Sequence, residues 1–149
     1  MRAVVQRVCK AAVLVDQEPI ATIGPGLLAY VGVAVDDTEE DARMLADKIR
    51  YLRCFPDAKK PLNRDVKEVE GAVLLVSAFT VQADTHRGRR PAFDQAASAK
   101  VAGPLYEFLC DALARTGLDV RRGRFGAEMQ IQSTNDGPVC ILLDSKRVV

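Results

Sequence analysis

Apolar and polar positions along the chain fall into short blocks, and the spacing changes from block to block. Residues 1–8 (MRAVVQRV) and 11–16 (AAVLVD) read as strands, with Ile20 to Ile23 extending the pairing. Gly24-Pro25-Gly26 is a turn, and Leu27 to Val35 is apolar enough for a strand buried on both faces. Thr38, with Asp41 three residues later, marks a helix start of the capping-box kind. Ala42, Leu45, Ile49 and Leu52 then recur at helical spacing, and Phe55-Pro56 closes the run. A polar loop over 56–70 precedes a second buried strand, Ala72 to Ser77. Residues 82–93 read as another polar loop.

A second helix is expected from about Ser98 to Thr116, stopped by Gly117. Pro104 lies inside it, so the helix either kinks there or begins after Gly103. Two last strands, about 127–134 and 138–144, flank Asn135-Asp136-Gly137, a hairpin-turn signal. The order of strands, helix, strand, helix, strands predicts an α/β fold. Its form would be a mixed sheet or partly closed barrel with two helices packed on it, one domain over 1–149.

Composition narrows this little. The chain is 48% hydrophobic and 28% charged, with only 5% aromatics, so Val, Leu, Ile and Ala must build the core. A net charge of +1 does not single out a nucleic-acid binder. The distribution is uneven, however. Six acids and one Arg fall between Asp36 and Asp47, while Arg87, Arg89 and Arg90 cluster, as do Arg121, Arg122 and Arg124. Such clusters either hold phosphates or are solvated loop charge. The four cysteines, Cys9, Cys54, Cys110 and Cys140, form no CxxC pair and only one His is present, which argues against zinc. No secretory leader pattern opens the chain, and no apolar run is long enough to cross a bilayer. Free thiols in a reducing cytoplasm are the expected setting.

No nucleotide-binding glycine loop or GxSxG elbow is present. A Ser-His-Asp arrangement would require His86, which lies in the Arg-rich loop, as its base. Two segments stand out. Ser77-Ala78-Phe79-Thr80-Val81 ends a buried strand, where freed N–H groups, the Thr80 hydroxyl and the Phe79 ring could meet a ligand. It could equally finish the strand with local hydrogen bonds. The second is Asn135-Asp136-Gly137-Pro138-Val139. There Pro138 opens an apolar strand without a backbone donor, and X-Pro bonds admit the cis form.

Together these segments resemble the SQFTL and NxGPVT signatures of the D-aminoacyl-tRNA deacylase family. Further matches lie in order across residues 2–143. They include Gln6-Arg7-Val8, Ala83-Asp84-Thr85, Arg90-Pro91, Phe93, and Gly123-Arg124-Phe125 with Ala127 and Met129. The resemblance implies that family's fold, a homodimer, no cofactor, and hydrolysis of the ester joining a D-amino acid or glycine to the 3′-terminal adenosine of tRNA. It implies that Gly137 and Pro138, as a cis pair, enter the partner's pocket and exclude an L side chain by clash. It further implies that Arg7 holds the Gly-Pro loop and that Phe125 and Met129 lie near the adenine.

By the same resemblance, the catalytic segment is Ser77, Ala78, Phe79 and Thr80. The Phe79 and Thr80 backbone N–H groups would be the oxyanion donors, Thr80 would position groups, and attack would fall to water assisted by the tRNA 2′-hydroxyl. Two positions depart from the pattern: Ala78 replaces the usual Gln and Cys140 the usual Thr. They leave open a shifted L-amino-acid specificity or a tRNA-binding relative without activity.

Overall fold

The computed structural model describes residues 1–149. Its centre is β1 (Arg2–Val15), a single strand where two were expected. One edge of β1 pairs antiparallel with β3 (Gly26–Gly32) near its start and with β2 (Glu18–Ile23) near its end. The other edge pairs antiparallel with β6 (Gln130–Asp144) along nearly its whole length. Beyond β3 come β4 (Ala72–Ser77) and β5 (Asp119–Arg122), both added in parallel. The sheet is thus mixed and nearly closed on itself, as the order of elements predicted.

Parallel neighbours need a crossover, and the two helices supply them. α1 (Glu39–Arg50) lies between β3 and β4, and α2 (Ala99–Ala114) between β4 and β5. At the start of α1 the capping box is present: the Asp41 carboxylate accepts the Thr38 N–H at 3.0 Å. β3 and β4 are covered on both faces, which is why they read as continuous apolar runs. Leu27, Ala29, Leu75 and Val73 face the helices with Leu45, Ile49, Leu109 and Leu113. Leu28, Leu74 and Val76 face the opposite way, into a smaller cluster with Val8, Val13 and Ile23. All four of these leucines in β3 and β4 are 0% exposed, and each burial stabilises the fold by about 1.5–3 kcal/mol.

Several boundaries differ from expectation, each for a tertiary reason. α1 ends at Arg50 rather than at Phe55-Pro56, because Phe55 leaves to exchange backbone hydrogen bonds with Arg64. β3 stops at Gly32, short of Val35. α2 starts at Ala99 and runs through Pro104; the carbonyl robbed of its donor belongs to exposed Lys100, where water can reach it. β5 is four residues long and half exposed, so no apolar run announced it.

The largest correction concerns Asn135-Asp136-Gly137. It is not a hairpin turn. Residues 130–144 form one strand, and both halves pair with β1. Between Gln6↔Cys140 and Val8↔Asn135, β1 advances two residues while β6 advances five, so the segment bulges out of the ladder. The Asn135 side chain accepts the Val139 N–H inside the bulge at 3.1 Å.

Where β3 and β4 start, the backbones meet too closely for any side chain. A Cβ on Gly26 would lie 1.9 Å from the Ala72 carbonyl oxygen. Gly26→Ala is therefore expected to destabilise the protein by at least about 3 kcal/mol, measured by urea unfolding. A cost under about 1 kcal/mol would mean that this strand pair is not rigid.

Candidate active site

β4 ends at Ser77, and the chain then tightens into a 3₁₀ turn over Phe79–Gln82. The turn is anchored from beneath. The Ala78 N–H donates to Val31 O at 2.8 Å, and the buried Gln82 amide donates to Gly32 O at 2.7 Å. Leading N–H groups of a helical turn have no partner inside it, and here they belong to Phe79 and Thr80. Ala78 is no candidate donor, because its N–H is already committed to β3.

Beside this turn opens a cleft of about 440 Å³. Ser77, Ala78, Phe79 and Thr80 form one wall; Phe125 and Met129, between β5 and β6, form another. The N-terminal part of α2 adds only alanines, Ala99 and Ala102. The Phe125 ring packs on Tyr106 with centroids 5.9 Å apart. Tyr106 itself is fully buried; burial pushes its phenol well above the ordinary value, and it donates to Leu75 O at 2.8 Å. Six of the nine expected site residues thus share one cavity.

None of the twelve residues lining the cleft is ionisable. The one His of the chain does not approach it. His86 is exposed, its Nδ1 2.6 Å from Asp84 Oδ1, and it borders a separate polar cavity near Met1 and Lys146. The cleft therefore contains no Ser-His or Thr-His pair. Cys54, near Arg7, is no nucleophile either, since burial pushes its thiol up to about 11.

The other three expected residues stand elsewhere. Gly137 and Pro138 are exposed on the β6 bulge, joined by a cis peptide bond, and do not line the cleft of their own chain. Arg7, almost fully buried, clamps the bulge. Its Nε donates to Asp136 O at 3.3 Å and lies 3.2 Å from the Asp136 carboxylate, while Nη1 donates to Cys54 O at 2.7 Å. Only glycine suits position 137: its φ is +127°, and a Cβ would lie 3.1 Å from Arg7 Nη2.

Gln82 was not legible as a site residue. It sits in a stretch that reads as solvated loop, and no periodicity marks it as buried, yet it is 3% exposed. Gln82→Ala would leave the Gly32 carbonyl without its partner. The expected cost is about 1–3 kcal/mol of stability. In hydrogen-exchange measurements the Ala78, Val81 and Ala83 amides should lose protection ahead of the sheet. Unchanged exchange at those three amides would show that the turn is held by other means.

Comparisons with known proteins give the family and the fold. The D-Tyr-tRNA(Tyr) deacylase family model matches residues 4–144. The chain is 52% identical to a D-aminoacyl-tRNA deacylase of Anaeromyxobacter dehalogenans (strain 2CP-C), covering 99% of both sequences. It is 48% identical to one of Thermotoga petrophila, again over 99% of both. Among solved structures, one titled c-Myc DNA Unwinding Element Binding Protein superposes with a TM-score of 0.91 at 36% identity, over 97% of this chain and 98% of that one. A probable eukaryotic D-amino acid tRNA deacylase shares the fold at a TM-score of 0.82 and 19% identity, over 96% and 98%. With a cleft built on the Phe79–Thr80 turn and with matches spanning nearly its full length, this chain belongs to the D-Tyr-tRNA(Tyr) deacylase family.

Proposed function

We propose that this chain is an editing hydrolase that cleaves the ester between a D-amino acid, or glycine, and the terminal ribose of tRNA, sparing L-aminoacyl-tRNA. The observation that carries the chemistry is the cleft at Phe79–Thr80, with unpartnered N–H groups at its edge and no ionisable side chain in its walls. Such a site stabilises a developing oxyanion but has no side chain to act as base. Apolar walls strengthen the N–H dipoles by lowering the local dielectric. The Phe79 and Thr80 N–H groups hold the ester oxygen as it gains charge. Water attacks the carbonyl carbon, the substrate's own 2′-hydroxyl assists the proton transfers, and the ribose oxygen leaves with a proton. Free amino acid and tRNA result. Ser77, Ala78 and the Thr80 hydroxyl shape and orient the acyl group.

Phe125 and Met129 supply the apolar surface for the terminal adenine, where a splayed base stacks or packs. The chain acts as a homodimer. Gly137 and Pro138, held by Arg7, are exposed and lie off their own cleft, which leaves them free to enter the cleft of a second copy as the family resemblance implies. Exposed Leu142 on the same strand gives that contact an apolar component. In the shared pocket the Gly137-Pro138 backbone occupies the space an L side chain would need. No helix is long and apolar enough to cross a membrane; the proposed tRNA substrate is one met in the cytoplasm.

Incubation with D-Tyr-tRNA, Gly-tRNA and L-Tyr-tRNA should show loss of the first two esters at least about a hundredfold faster than the third. Comparable cleavage of the L form would sink the chiral filter, and binding without any cleavage would leave a tRNA-binding protein only. If water is the nucleophile, Thr80→Ala should keep kcat within about tenfold of the parent. Collapse to the uncatalysed rate would instead make the Thr80 hydroxyl the attacking group.

A further inference from the structure

Two arginine clusters stand out along the chain, and the fold pairs two members of one with acids while leaving the other entirely free. Arg121 is paired with Asp119 at 2.7 Å, and Arg122 with Glu107 and with Asp111, the latter at 2.6 Å. Those charges are neutralised where they stand. Arg87, Arg89 and Arg90 are exposed, and none has a carboxylate within 4.0 Å. The one acid at the loop's neck, Asp84, is engaged by the His86 N–H at 2.9 Å and by the His86 ring.

The loop that carries them has a fixed base. Asp84 and Ala92 exchange two backbone hydrogen bonds of 2.8 Å, closing residues 85–91 into a projecting arm. Phe93, directly beyond that neck, meets the Phe79 ring edge-on with centroids 5.1 Å apart. Phe79 lines the cleft, so the arm springs from its rim. Across the cleft Arg124, exposed and likewise without an acidic partner, adjoins Phe125. An uncharged cavity thus has a free arginine next to Phe125 in sequence, and a loop of three free arginines tied to its Phe79 wall through Phe93. That suits a ligand whose reacting end is neutral and whose body is polyanionic.

We propose that Arg87, Arg89 and Arg90 form a phosphate-gripping arm for the acceptor stem of the tRNA whose 3′ end enters the cleft. The assignment rests on the tRNA substrate proposed above. Guanidiniums on a short, pinned loop bind phosphate oxygens bidentately, and they do so without reading sequence. The arm supplies affinity and register, while the cleft supplies the chemistry. A net charge of +1 is no obstacle to such a grip, since three of the arginines without an acidic partner stand together on this one loop.

The test compares the parent chain with R87Q/R89Q/R90Q. Binding is measured to an uncharged acceptor-stem minihelix from 0.05 to 0.3 M salt. The triple variant should bind at least about tenfold more weakly at 0.1 M salt, and the slope of log affinity against log salt should fall in magnitude by about 2–3, as three lost phosphate contacts require. The ratio of kcat/KM on D-Tyr-minihelix to that on D-tyrosyl-adenosine, which has no phosphate, should fall at least about tenfold. A control that removes two positive charges elsewhere, K59Q/K60Q in the loop after α1, should leave both readouts in place. Minihelix binding within about twofold of the parent, with the same salt slope, would overturn the arm. Failure of the parent chain to cleave either ester would count against the hydrolase reading, whereas the arm is read independently on the uncharged minihelix.

Discussion

The arrangement of this molecule depends on the antiparallel ladder between β1 and β6, running from Arg2↔Asp144 to Leu14↔Gln130. β1 has both edges hydrogen-bonded, to β6 on one side and to β3 and β2 on the other, so its path fixes the whole sheet. β3 in turn carries β4, and the end of β4 carries the turn at Phe79. The ladder also sets where it must fail. Three surplus residues of β6 are expelled opposite Arg7, and that expulsion lifts Gly137 and Pro138 into solvent. The Arg7 side chain, rising from the gap, then becomes the tie that holds the bulge.

The cleft is notable for what its walls contain. A hydrolytic site usually announces itself through titrating side chains whose pKa values are displaced. Here the displaced groups near the centre of the molecule, Tyr106 and Cys54, are shifted by burial and remain neutral; the tyrosine serves to brace β4. In the proposed reaction the reactive features are main-chain N–H groups, whose position depends on the Ala78 and Gln82 hydrogen bonds into β3. A site working in that way would tolerate Ala78 in place of Gln, because that side chain would not be among the donors. It would also leave proton transfer to the substrate, which suits an RNA ester with a neighbouring hydroxyl.

Most elements were legible because their signals are local. The Thr38–Asp41 box, the continuous apolar runs of β3 and β4 and the periodic face of α1 each arise from neighbouring residues that meet the same partners. The failures were of another kind. Asn135-Asp136-Gly137 has the chemistry of a hairpin turn, yet both flanking segments pair with β1 and not with each other. Asx chemistry predicts a reversal there, but β1, distant in sequence, holds both halves in one strand with a bulge between them. Of the two outcomes Pro104 allows, a helix start after Gly103 is not the one adopted, since α2 begins at Ala99 and passes through the proline.

The sequence by itself determined the α/β class, the two helices and the family, and it singled out the two segments to which the proposed function assigns the chemistry, because composition, spacing and short signatures are properties of contiguous residues. Only the tertiary structure decided that Ser77–Thr80 and Phe125–Met129 share one cleft while Gly137-Pro138 stands apart from it. Only there, too, are Arg121 and Arg122 paired with Asp119, Glu107 and Asp111 while Arg124 and the Arg87–Arg90 cluster stay free. The physical reason is common to both. Burial, pairing and ladder register depend on residues up to 144 positions apart, such as Met1 and Ser145, and no local pattern encodes which of them will meet.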